Sequence, residues 1–131
     1  MNRIQTVFQS ESHECGLACL IMIQQGLGGE TRLNEFRDLV GTRNQELSIK
    51  ELVDCAKKLD LSGRPIQCEL SELPQLKLPA ILHWRLNHWV VLTKVTSEQF
   101  IVHDPAEGRL SLVRSEVSTM YTGIAIEFSK L

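Results

Sequence analysis

The chain has 131 residues, 43% of them hydrophobic, which is enough for one ordinary domain around one core. Its net charge of -2 leaves no basic footprint, so nucleic acid is excluded as an expected partner. Apolar stretches such as Pro79–Trp84 fall far short of the roughly 18 to 20 residues that span a bilayer, and no signal-peptide core precedes them. The expectation is a soluble, cytoplasmic protein.

Glu14 to about Gly26 is apolar on nearly every face and predicts a buried helix, ended by the glycines at 26–29. Thr31 reads as the N-cap of a short helix through about Val40, with Leu33, Phe36, Leu39 and Val40 on one face. Ser48 with Glu51 three residues on is a capping box for a third helix, whose apolar positions run Ile49, Leu52, Val53, Ala56, Leu59. After Leu61 the texture changes. Arg64–Cys68, Ala80–Trp84, His88–Val95, Gln99–His103 and Gly123–Phe128 read as short strands separated by turn residues. Helical turns are expected near Ser71–Leu76 and Ser115–Met120. Helices first and strands later indicate an α+β fold. The expected organisation is one domain over 1–131, with a helical part at about 1–61 packed on an antiparallel sheet at about 62–131 and a cleft between them.

Four cysteines (Cys15, Cys19, Cys55, Cys68) without a secretion signal are read as reduced thiols, Cys55 and Cys68 as core residues. Cys15 differs. It stands where the polar run Gln9–Glu14 becomes apolar, at the first turn of the first helix, where unpaired N–H groups and the helix dipole favour a thiolate. Ionisation below the free-thiol range is therefore expected. Gln9, six residues upstream, can bring an amide donor to the same sulfur.

Such a nucleophile needs a base. His13, His83 and His103 each have an ordinary structural reading. His88 opens the strand His88-Trp89-Val90-Val91-Leu92 directly after a turn, where a side chain is accessible to a cleft. The strands Val90–Val95 and Gln99–His103 are joined by about three residues, which predicts a hairpin. Centred on Ser97, it sets Val90 opposite Asp104 and His88 opposite Ala106, so His88 and Asp104 share a face within diagonal reach. A one-residue slip would put Asp104 on the other face. Alone, Asp104-Pro105-Ala106-Glu107-Gly108 is good turn chemistry. Together with Cys15 and His88, Asp104 gains a role: an imidazole makes and holds the thiolate, and an acceptor on its second nitrogen fixes its orientation. The Gln9 amide and the Cys15 N–H would serve a tetrahedral intermediate.

These motifs, Gln9-x5-Cys15-Gly16-x-Ala18, Asn87-His88-Trp89-Val90-Val91-Leu92 and His103-Asp104-Pro105-Ala106-x-Gly108, resemble the C39 peptidases across about residues 5 to 128. The segment Cys15-Gly16-Leu17-Ala18-Cys19-Leu20-Ile21-Met22-Ile23 is especially similar to colicin V-type exporters. The resemblance implies a papain-like cysteine protease fold, usually found as the N-terminal domain of ABC exporters of bacteriocins and related peptides. It implies cleavage of a leader peptide after a Gly-Gly pair, coupled to export, without metal or other cofactor. Cys15 would be the nucleophile, His88 the general base and acid, Asp104 the histidine orienter and Gln9 the oxyanion donor. A narrow cleft would admit only glycine beside the scissile bond, and an adjoining apolar surface would take the leader's amphipathic helix. The implied partners are the leader peptide and the transmembrane and nucleotide-binding domains of an exporter, in the same polypeptide or a separate one. The chain departs from the family at 40–48, which lacks the common Gly-Thr-Ser-like turn.

Two other readings compete. In the first, the domain docks leader peptides without cutting them. In the second, Cys15-x3-Cys19 with His13 forms a redox or metal site, although a structural zinc wants a second ligand pair and none is apparent.

Overall fold

The computed structural model describes residues 1–41 and 45–131; the middle of the unusual 40–48 segment lies outside the described residues. Helix α1 spans Cys15–Gly26, α2 Leu33–Val40 and α3 Ile49–Lys57. Strand β1 (Leu61–Gln67) follows, then a 3-10 segment (Leu70–Gln75) and strands β2 (Ala80–Trp84), β3 (His88–Val95), β4 (Phe100–Asp104) and β5 (Gly108–Leu112). Helix α4 (Arg114–Met120) and strand β6 (Tyr121–Lys130) complete the chain. The fold class is α+β, as expected.

The capping box of α3 forms as its sequence predicts: the Glu51 N–H donates to Ser48 Oγ at 3.2 Å, and the Ser48 N–H to Glu51 Oε1 at 3.0 Å. The start of α2 differs from expectation. Its N-cap is Arg32 rather than Thr31, because the Glu35 carboxylate takes the Arg32 N–H at 3.1 Å. Strand β5 was not anticipated. Gly-Arg-Leu-Ser-Leu has weak strand propensity, and it is pairing with β4, Asp104 opposite Gly108 through Phe100 opposite Leu112, that makes it extended.

The six strands form one antiparallel sheet in the order β1-β6-β2-β3-β4-β5. Alternate residues of its strands face opposite ways. Ile81, Trp89, Val91, Ile126 and Phe128 pack with α1 and α3 in one core layer. Leu82, Val90, Leu92, Val102 and Ala125 pack in a second, which includes Leu73 of the 3-10 segment and Val117 of α4. Helix α1 is thus the inner helix, fully covered along Leu17–Ile23. That burial is why its sequence is apolar all round rather than in a stripe.

The β3–β4 hairpin carries the decisive detail. Its turn is one residue longer than expected, with Val95 opposite Phe100 and the Thr96 N–H bonded to the Gln99 carbonyl at 2.8 Å. Extended without interruption, that register would put Asp104 opposite Val91 and on the wrong face for His88. A bulge between Leu92 and Lys94 inserts one extra β3 residue, Thr93. Beyond the bulge Leu92 faces Val102 and Val91 faces His103, which is the register expected for the site end.

Candidate active site

Cys15 opens α1 under a close-packed cover. A Cβ at position 16 would lie 3.0 Å from Leu52 Cδ2 and 3.2 Å from Leu47 Cδ1, so Gly16 lets the segment before α3 lie directly on the helix start. The Trp89 indole N–H fixes that segment from the sheet by donating to the Leu47 carbonyl at 3.1 Å. The consequence is a contact no sequence pattern announced: the Cys15 thiol donates to Glu46 Oε2 at 2.8 Å. Cys15 itself has no exposed surface. Burial, and then Glu46, push the thiol well above its ordinary ionisation range, outweighing the Trp89 and Gly16 N–H groups that pull it down. In the substrate-free chain the expected depression of the thiol is therefore reversed, because desolvation and a carboxylate outweigh the helix terminus.

His88 and Asp104 meet. The His88 Nε2–H donates to Asp104 Oδ1 at 2.7 Å, at the ends of β3 and β4. The same oxygen accepts the Ala106 N–H at 2.8 Å. Burial pushes the Asp104 carboxyl up, but the bonds from His88 and Ala106 more than offset it, and the group is held below its ordinary value. Because Nε2 is spent on Asp104, Nδ1 is the ring nitrogen available to a thiol. The N–H acting on the Cys15 sulfur belongs to Trp89, the residue after His88 in β3. The bonded acceptor of the thiol is nonetheless Glu46, not His88.

Gln9 reaches the same end of the sheet. Its N–H donates to the Pro105 carbonyl at 3.0 Å, tying it to the turn that follows Asp104. Its side-chain amide donates to the Ser12 carbonyl at 3.2 Å, so one donor is already engaged, while Oε1 is buried without a partner. The Gln9–Glu14 segment is shaped by Glu14, a second residue the sequence reading missed. Glu14 Oε1 accepts the N–H groups of Ser10 and Glu11, each at 3.1 Å, and one guanidinium N–H of Arg37 at 3.1 Å. Arg37 Nε also donates to Glu14 Oε2. The Arg37 bond, followed in weight by an opposing burial effect, leaves the Glu14 carboxyl below its ordinary value. No local spacing links residues 14 and 37, or residues 15 and 46, so both partners are invisible to periodicity.

His103 and His83 are engaged away from the thiol. His103 is buried and hydrogen-bonded to Thr6 Oγ1 at 2.7 Å; His83 is bonded to Thr122 Oγ1 at 2.8 Å and lies against the Trp89 ring. Cys19 is buried among apolar side chains, and among the described residues no group of three or more His, Cys, Asp or Glu could hold a metal ion. Beside His88 and Asp104 opens a groove of about 820 Å³, with Trp84, Leu86, Leu110 and Met120 among its walls. Leu86 is 96% exposed and, like Asn87, has positive φ, which a leucine rarely adopts and which is commonest at functional turns.

The profile of the peptidase C39 family matches residues 3–131. The chain belongs to that family. Among similar C39 proteins are two of Escherichia coli: the probable microcin-H47 secretion/processing ATP-binding protein MchF, 39% identical over 125 residues, and the colicin V secretion/processing ATP-binding protein CvaB, 37% identical over 125 residues. Each alignment covers 95% of this chain but only 18% of the relative. A crystal structure of a double glycine motif protease from an AMS/PCAT transporter, in complex with the leader peptide, superposes with a TM-score of 0.90 at 25% identity, covering 98% of this chain and 93% of that one. The peptidase domain of Streptococcus ComA, a bi-functional ABC transporter, gives 0.86 at 26% identity, covering 98% and 100%. The fold is that of C39 peptidase domains, a papain-like arrangement of helices on an antiparallel sheet. Among the described residues no helix is long and apolar enough to cross a membrane.

Proposed function

We propose that this C39 chain is a cysteine endopeptidase that removes double-glycine leaders from bacteriocin-like or other exported peptides, cutting after the Gly-Gly pair. It would work on the cytosolic side of a membrane beside the transmembrane and nucleotide-binding domains of an ABC exporter, in one polypeptide with them or separate. The observation that carries the reading is the His88–Asp104 bond at 2.7 Å, with the N–H of Trp89, next to His88, acting on the sulfur of the helix-terminal Cys15. Asp104 holds the imidazole by Nε2, which leaves Nδ1 as the atom to take the Cys15 proton. The thiolate adds to the carbonyl carbon of the second glycine, and its oxygen gains charge. The Cys15 N–H and the Gln9 amide, once released from Ser12, would be the donors that receive it. His88 then protonates the leaving amine, and water, deprotonated by the same imidazole, releases the leader from sulfur.

The groove beside His88 suits the other half of such a substrate. Its walls of Trp84, Leu86, Leu110 and Met120 can cover the apolar face of a leader helix while the Gly-Gly end runs to Cys15.

The direct test incubates the purified chain with a synthetic leader peptide and its cargo. Cleavage after Gly-Gly is expected, and Cys15→Ala is expected to abolish cutting while retaining leader binding. A folded wild-type chain that binds the leader and never cuts it would leave only the docking reading.

A further inference from the structure

The proposed chemistry makes no use of Glu46, yet Glu46 is the residue that bonds the reacting atom. A sulfur with no exposed surface cannot meet a carbonyl, which must approach to roughly 3 to 3.5 Å for attack. Something at the sulfur has to move. Most of what acts on it is core or backbone: α1 itself, with the Gly16 N–H, and the Trp89 N–H of β3. Glu46 is the exception. It is half-buried, precedes the α3 cap and is held at the sulfur by its own carboxylate. Its neighbour Leu47 is pinned by the Trp89 indole and by the space above Gly16, so the side chain of Glu46 can swing away while the backbone behind it stays.

We propose that Glu46 is a displaceable cover for the nucleophile. It holds the Cys15 S–H and shuts the sulfur off until the Gly-Gly segment of a leader takes its place. The inference rests on the protease reading and adds its resting state. When Glu46 leaves, the S–H bond breaks and an N–H bond forms at His88 Nδ1, so a neutral pair becomes thiolate and imidazolium. Glu46 remains a carboxylate throughout and passes to solvent. The charged and titratable groups around this exchange are Glu46 itself, His88 of β3, Asp104 of β4 and the Cys19 thiol of α1.

The test measures iodoacetamide labelling of Cys15 at pH 7, located by peptide mapping, in the wild type, Glu46→Gln and Glu46→Ala without substrate. Both variants are expected to label faster by about tenfold, the effect of one unit in thiol ionisation. Their kcat/KM on a Gly-Gly peptide should rise through a lower KM. A rise in labelling below about threefold in both variants, half a unit, overturns the proposal. So does a fall in kcat, which would make Glu46 a participant in the chemistry. Loss of the fold in both variants overturns it as well, since Glu46 would then be structural. If the wild type cuts no leader at all, the protease reading fails, while the labelling comparison still decides whether Glu46 covers the thiol.

Discussion

The two sides of the site are built in different ways. The base side lies on adjacent strands: His88 and Asp104 are set by sheet register, already bonded, and backed by the Ala106 N–H. The thiol side lies where a helix start meets a connecting segment, and its bonded partner is the Glu46 carboxylate, which the proposed proteolysis has to displace. In the proposed reaction one half is finished before substrate arrives and the other waits for it. The difference teaches that preorganisation here is carried by the sheet, while the proposed control of access falls to the segment packed over Gly16.

The comparison breaks most completely at the base side. His88→Ala removes the only proposed proton acceptor and should abolish detectable cleavage; residual turnover near the wild-type rate in a peptide assay would separate His88 from the chemistry. Asp104→Asn leaves the imidazole in place but takes its anionic partner, so kcat should fall by roughly 10² to 10⁴. A folded Asp104→Asn chain with unchanged kcat would make the contact structural only.

The thiol side should yield smaller, packing-type effects. In Gly16→Ala the new methyl meets Leu52 and Leu47 at 3.0 and 3.2 Å. Denaturant unfolding should show a loss of about 1 to 3 kcal/mol, and Glu46 should be displaced enough to change Cys15 labelling. Stability equal to wild type would show that the segment before α3 yields freely.

The smallest effect concerns Glu14, whose side chain is 4% exposed while that of Arg37 is 30% exposed. Glu14→Gln should cost about 1 to 2 kcal/mol at neutral pH, discounted for the solvent reaching Arg37. The folded carboxyl lies below its ordinary 4.5, so its contribution is fully present above 4.5 and is lost as pH falls through the folded value. The gap between variant and wild type should therefore narrow in acid, as read from urea unfolding at pH 7 and pH 3. A gap that widens on acidification would contradict the depressed carboxyl.

What the sequence made legible was local. The capping box at Ser48, the wholly apolar first helix and strands β2 and β3 follow from spacing that nearby residues enforce. Even the pairing of His88 with Asp104 could be read, although by two offsetting differences: the turn is one residue longer than expected, and the bulge at Thr93 takes the extra residue back. The bulge was not legible, because Thr93 looks like any strand threonine and its displacement depends on both neighbours. Glu46 and Glu14 were hidden for a related reason. Each acts on a group far away or across a turn, Cys15 thirty-one positions away in one case and Arg37 twenty-three in the other, and neither spacing has a period. The helix-terminal argument for a reactive Cys15 was sound as far as it went; burial reversed its sign.

The central claim is that Cys15 attacks the carbonyl carbon of the second glycine of Gly-Gly, and a covalent intermediate tests it most directly. Wild-type chain mixed with a leader–cargo peptide and quenched in acid within one turnover should gain, by intact mass, the leader alone as a thioester on Cys15. Free cargo beginning immediately after Gly-Gly should appear in equal amount. Cleavage that persists in Cys15→Ala, or an adduct mapped to Cys19, Cys55 or Cys68, would contradict the account.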